Sequence, residues 1–261
     1  MARVIRCRFP RITEAWCRLL GEPAEFDGAD AAVLRRLATR TFGELESRPG
    51  VVTHQIQSEV PAAPFWTEQV AWDDGPHLAR FGHQYLSVHV IPDQLHPYTT
   101  FDGSLRQPIR RWLDVFAEFG AFARGGDIRI AQVGFGYLNA FEFPSDEFDL
   151  SRYFRLNFAV DVPGAAMDLL GAQMSFRFSE PQHGAMIHLQ VKADAGVDES
   201  APVVLRTSAI AEIPGGGLAS SGPDALEDAV YRAKELAKAR FFALATPETH
   251  ELMGVVTDAG D

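Results

Sequence analysis

Apolar residues recur at three- and four-residue spacing in two long segments, and that period predicts amphipathic helices. Between Leu105 and Gly120 they fall at Leu105, Ile109, Trp112, Leu113, Phe116 and Phe119, with Ser104 placed as an N-cap and Gly120 as a stop. Between Pro223 and Leu244 they fall at Leu226, Val230, Ala233, Ala237, Phe241 and Leu244. Ser221 or Asp224 stands where a cap belongs, and Pro247 lies beyond the end. A weaker pattern through Leu34, Leu37, Thr41 and Leu45 predicts a helix over 31–45, and a short helical segment is expected at 146–154.

A period of two predicts strands over 51–57, 67–73, 85–91, 128–143, 158–162, 173–178, 185–192 and 203–213. In 85–91, for example, Leu86, Val88 and Val90 alternate with Ser87 and His89. Glycine and proline punctuate the joins at Pro163-Gly164, 181–184 and 214–217; the stretch 214–223 reads as a flexible connector. Near the start, Ile5, Cys7 and Phe9 alternate with Arg6 and Arg8. Residues 12–20 are ambiguous, because Ile12, Ala15, Trp16, Leu19 and Leu20 have helical spacing. The order of the neighbouring elements requires a strand there, and a strand is the expectation.

That order repeats. Each half, 1–124 and 125–261, runs β-α-β-β-β-β-α, with Gly125-Gly126 at the join, although residue identity between the halves is poor. An antiparallel meander must cover its apolar face, and a long amphipathic helix does so. The expected fold is α+β, with a continuous antiparallel sheet covered by long helices. At fold level it resembles the tandem TATA-binding-protein and helix-grip arrangements, a likeness that warrants no function.

Charge narrows the partners. The chain has 261 residues, 24 Lys and Arg against 35 Asp and Glu, and a net charge of −11. Nucleic acid and anionic membrane surfaces are therefore not the expected partners. The start lacks the apolar core of a signal peptide, and no apolar run approaches the ~20 residues of a membrane helix, so a cytoplasmic protein is expected. Only Lys192, Lys234 and Lys238 are lysines among the basic residues, a bias of GC-rich bacterial coding. Cys7 and Cys17 make neither a disulfide framework nor a zinc site.

The stretch QVGFGYLNAFEFP, 132–144, tempts a reading as a ligand loop. It lacks the three spaced glycines of a dinucleotide fingerprint, and Val133, Phe135, Tyr137 and Phe143 are strand formers, so it reads as scaffold with Asn139 buried. The histidines His77, His83, His89, His96, His183 and His188 never fall at metal-ligand spacing, and His89 is expected on a solvated strand face. There is no nucleophile elbow and no phosphate loop. Cys17 reads as a small packed residue, and no metal or cofactor is expected. The candidate ligand- or partner-binding residues are Gln132, Tyr137 and Asn139, together with Trp72 and Tyr98.

QVGFGYLN resembles the Arg-Val-Gly-Leu-Arg-Tyr-Ile-Asn signature of a sporadically distributed family of uncharacterised bacterial and archaeal proteins about this long. Leu95-His-Pro-Tyr-Thr-Thr-Phe101 is similar to that family's Tyr-Pro-x-Trp segment before a helix, and Ala243 to Gly254 is similar to its Thr-Pro-Glu-like ending. Gln132 and Gly136 stand where the family has arginines, and Phe101 where it has tryptophan, while Tyr137 and Asn139 are retained. The resemblance implies no activity; a patchy distribution associates the family with mobile defence or toxin–antitoxin genes. The expected function is a non-enzymatic binding or adaptor protein that presents a sheet or groove to a protein partner, with a homodimer through an edge strand also allowed. The alternatives are a binder of a small apolar or aromatic ligand, and an enzyme with dispersed catalytic residues.

Overall fold

The structure, a computed structural model, describes residues 5–7, 12–21, 32–33, 36–37, 39–41, 68–71, 77–82, 85–95, 97–123, 126–143, 149–156, 171–194 and 203–257. The predicted strands over 51–57 and 158–162, and Trp72, lie outside these residues. The strands are β1 (Ile5–Cys7), β2 (Ile12–Gly21), β3 (Glu68–Ala71), β4 (His77–Gly82), β5 (Tyr85–Val90), β6 (Arg129–Phe143), β7 (Gly171–Glu180), β8 (Ala185–Asp194), β9 (Val203–Ala219) and β10 (Val255–Thr257). The helices are α1 (Gln107–Ala123), α2 (Leu150–Tyr153), α3 (Pro223–Leu244) and α4 (Pro247–Leu252), and residues within 32–41 are also helical. β4 and β10 have no counterpart among the predicted strands.

Eight strands form one sheet in the order β3-β4-β5-β2-β6-β9-β8-β7, and every pair is antiparallel. β1 pairs separately with β10. On either side of the β2–β6 junction the route is the same. The chain enters by the inner strand, crosses to the outer edge, and returns by adjacent pairings until it meets the inner strand again. A long helix then follows. The strand expected at 12–20 is thus β2, and the stretch with two glycines is the middle of β6, hydrogen-bonded on both edges.

Side chains alternate across this sheet. On one face Ala15, Cys17 and Leu19 of β2, Val133 and Phe135 of β6 and Ala209 and Ala211 of β9 are buried in the main core. The stripe Ile109, Trp112, Leu113 and Phe116 of α1 and Leu226, Val230, Ala233 and Ala237 of α3 join them there. Both helices therefore lie on that face. Arg106 pairs with Glu227, and Arg110 with Asp224 and Glu227, tying the helices at their N-terminal ends.

Several local expectations change. Helix α1 passes through Gly120 to Ala123; its approach, Asp102–Arg106, is wound as a π-turn, and the Ser104 hydroxyl accepts the Thr99 N–H at 3.1 Å instead of capping. Asp224 pairs with Arg110, and the N-cap of α3 is Gly222 with no side-chain cap. Asp127 instead accepts the Ser221 N–H at 3.0 Å. The glycine-rich stretch after Pro214 is not a connector: β9 continues through it to Ala219. A register shift between Ile130 and Gln132 brings Gly215 so close that a Cβ there would stand 2.2 Å from the Ile130 carbonyl oxygen.

Gly136 is a second close approach. The Trp16 indole lies across it, and a Cβ would stand 2.6 Å from the ring, whereas a Cβ at Gly134 would meet its neighbours at ordinary contact, 3.6 Å. Gly136→Val should therefore destabilise the fold by about 1–3 kcal/mol through overpacking. Gly134→Ala should lie within about 1 kcal/mol of the wild type, since it removes backbone freedom from the unfolded chain. Urea denaturation of the two variants checks the contrast.

Candidate functional site

The predicted site residues do not converge. Tyr137 and Asn139 point from β6 toward the helices, and Tyr98 meets them there, with the Tyr98 and Tyr137 rings 6.4 Å apart and edge-on. Phe135 packs on Tyr137 at 4.9 Å and on Phe101 at 5.8 Å, and Phe101 in turn on Tyr231 at 6.1 Å. Burial pushes the Tyr98 phenol up to about 12, and the nearby Asp102 charge adds to the rise against an opposing influence of the Tyr137 hydroxyl. The phenol thus stays protonated at neutral pH. The Lys234 ammonium, 8% exposed, pairs with Glu235 and sits 4.2 Å over the Tyr231 ring and 5.1 Å over Phe101, an ion pair and cation–π contacts that together compensate its burial. Asn139, 3% exposed, reaches Thr207 Oγ1 on the adjacent strand at 3.5 Å. These side chains fill one another's space as core.

Gln132 lies on the opposite face, where Nε2 donates to Glu212 at 3.3 Å. Glu212 also pairs with Arg18, whose guanidinium lies 5.6 Å over the Trp16 ring. Beside them His89 corrects the expectation of a solvated residue. It is 6% exposed, with Nδ1 2.6 Å from Glu14 Oε1 and Nε2 2.8 Å from Ser87 Oγ. A carboxylate accepts, so the ring donates from Nδ1, and its other nitrogen shares a hydrogen bond with the serine hydroxyl.

The order Ser87–His89–Glu14 has the connectivity of a nucleophile, base and orienting acid. Ser87 is nevertheless 1% exposed and sits mid-strand, paired with Arg18 of β2 on one side and Arg80 of β4 on the other. It has neither solvent access nor spare N–H groups for a developing oxyanion. The three residues form a buried network that holds β2 and β5 in register. Its sequence signal was present, in Glu14, Trp16 and Arg18 at alternate positions and in Ser87 with His89, but the pairing of two strands seventy residues apart was not.

Cys17 is in the core, and burial pushes its thiol up to about 12, so it is no nucleophile at neutral pH. Among the described residues no three His, Cys, Asp or Glu side chains gather to hold a metal. No helix among them is long and apolar enough to cross a membrane.

An accessible concavity of about 380 Å³ opens elsewhere, between the C-terminal end of α3 and the outer strands β7 and β8. Phe176, Phe178 and Leu189 make its floor, and Leu156 and Leu244 its walls. Phe176 and Phe178 are 38% and 37% exposed. Two arginines border it: Arg240, which pairs with Glu180, and Arg155, whose backbone N–H donates to the Leu244 carbonyl at 2.8 Å. No carboxylate among the described residues pairs with the Arg155 guanidinium.

The sharp end of α3 builds this wall. Ala245 leaves the helix and bridges Phe154, Thr246 caps α4, and the Thr246 and Thr249 hydroxyls both donate to the Tyr153 carbonyl, at 3.0 and 2.5 Å. The Thr-Pro-Glu-Thr step of the sequence is thus a clasp that fixes Arg155 and Leu156 against Leu244. Sequence reading missed the groove because Phe176 and Phe178 look like any alternating core residues until their strand is known to be outermost.

The fold and these sites define an α+β protein built on one eight-stranded antiparallel sheet with its long helices on one face. No protein-family model, curated protein or solved structure matches the chain.

Two outcomes are expected. Glu14→Ala leaves the buried imidazole of His89 without the acceptor of its Nδ1–H and should cost about 1–3 kcal/mol in chemical denaturation. His188, hydrogen-bonded at 2.7 Å to Ser175, is held below its ordinary value of 6.5 by burial and secondarily by the Arg177 charge. An NMR titration should find its pKa below 6.5, and Arg177→Gln should raise it. Because the folded pKa is depressed, the unfolded chain takes the proton more readily. The contribution of His188 to stability is present above about pH 6.5 and is lost as pH falls toward the folded value.

Proposed function

We propose that the protein is a non-enzymatic binding protein that seats an apolar segment bearing a carboxylate, supplied by a protein partner, in the groove at the end of α3. The groove itself carries this reading: exposed phenylalanines beside an exposed arginine that no carboxylate among the described residues pairs, on a chain whose net charge is −11. A locally cationic rim on an acidic protein selects for an acidic group on an apolar segment, because a buried carboxylate needs a paired charge. The proposal includes a tandem origin of the halves 1–124 and 125–261, supported by the shared route of the strands outward from the β2–β6 junction. It also includes membership of the patchily distributed family that the QVGFGYLN signature resembles, with a partner encoded in a mobile defence or toxin–antitoxin locus.

A volume near 380 Å³ also suits a small apolar or aromatic acid, the second reading. Both are tested with anilinonaphthalene sulfonate, an apolar anion that reports its own binding by fluorescence. Arg155→Glu or Leu189→Lys should weaken it by tenfold or more, about 1.4 kcal/mol. A short peptide ending in Leu-Phe with a free carboxylate should displace it, and the same peptide amidated should not. Equal displacement by both peptides, or unchanged binding by both variants, removes the proposal. Displacement by aryl carboxylates at far lower concentration than by the peptide favours the small-ligand reading.

A further inference from the structure

Among the described residues the sheet has two unequal edges. One ends in β3, four residues long; the other ends in β7, ten residues long. Proteins guard sheet edges with short strands, prolines, lysines or bulges, because a free row of N–H and C=O groups invites another strand. β3 offers four described residues. β7 reads Gly-Ala-Gln-Met-Ser-Phe-Arg-Phe-Ser-Glu, with no proline and no lysine, and it pairs with β8 residue by residue without a register shift. Among the described residues no strand pairs with its outer side, and Gln173 and every residue from Ser175 to Ser179 are exposed. An edge this long, regular and apolar can take another strand.

We infer that the occupant is β7 of a second copy, paired antiparallel about a two-fold axis through Phe176. The inference rests on the groove reading and completes it, since the axis sets two grooves side by side as one trough. The register follows from the side chains. An axis perpendicular to the sheet keeps the helices of both copies on one face and pairs residues of the same parity. Centred on Phe176, it sets Phe176 against the partner's Phe176, Met174 against the partner's Phe178, and Arg177 against the partner's Ser175. Directly opposite side chains then stand about 4.5–5.5 Å apart at Cβ, within contact distance.

Neighbouring registers are poorer. Centred on Arg177, the axis opposes two arginines and sets Met174 against Glu180. Centred on Ser175, it sets Phe178 against Ala172 and leaves that ring without a large apolar partner. The Phe176 register alone matches every large apolar side chain of the strand with another and opposes no like charges. The joined floor then carries Phe176 and Phe178 from both copies between the ends of two α3 helices, each with Arg155 and Arg240 at its border.

Light scattering on the eluting wild-type protein should give twice the 28.7 kDa chain mass at about 50 µM, and Phe176→Lys, which opposes two ammonium groups, should give a single chain. Mild oxidation should join Phe176→Cys chains into a disulfide dimer, whereas Met174→Cys and Phe178→Cys, each opposite a different residue, should not join alone. A wild-type protein of single-chain mass at that concentration overturns the inference, whatever the variants do, and so does equal cross-linking at all three positions. The two readings fail separately. A monomer whose dye binding still depends on Arg155 keeps the groove and loses the pairing; a dimer whose dye binding ignores Arg155 keeps the pairing and loses the groove.

Discussion

One strand joined on both sides holds this molecule together. β6 is paired from Ile130 to Asn139 with β2 and from Arg129 to Phe143 with β9, so each half of the sheet is attached through it. A slip of one residue would turn Phe135 and Val133 away from the helices and Gly134 and Gly136 toward them. The alternation of ring and glycine therefore sets the register. Rings face the helices, and bare backbone on the other face makes room for Trp16. That placement in turn brings the indole beside Arg18 and His89, and the polar network assembles around it.

The same alternation explains how much of the fold was legible. Strong periods announced α1, α3, β6, β8 and β9, because burial of one face is written locally in the spacing of apolar residues. β2 carried both periods, and only the order of its neighbours decided it. The cap of α3 and the end of α1 were misjudged, because Asp127 and the 126–128 segment supply long-range partners that no local pattern encodes. Pro214 to Ala219 looked like a loop by composition. It continues β9 across a register shift at which Gly215 lies so close to the Ile130 carbonyl that only a residue without a Cβ fits.

Function was less legible than fold, for a physical reason. A polar residue in a strand declares which face it occupies but not what covers that face. Tyr98, Tyr137 and Asn139, candidates for a binding site, lie buried or half-buried on the helix face of the sheet; Gln132 shares the sequence stretch of the last two but faces the other way, as parity requires. His89 looked solvated because its strand neighbours were polar, yet Glu14 and Ser87 satisfy both its nitrogens in the interior. The groove depends on which strand is outermost and where a helix stops, and both are properties of the assembled sheet.

The central position of β6 also bears on synthesis. β2 ends at Gly21, but its second neighbour begins at Arg129, so more than a hundred residues must be made between them. At a translation rate of about 5–20 residues per second, that interval is on the order of ten seconds. β1 waits longer still, for Val255–Thr257. Throughout that delay the nascent chain carries an uncapped β2 edge with Cys17 and Leu19 on its apolar side, a natural surface for a holding chaperone until β6 emerges from the ribosome.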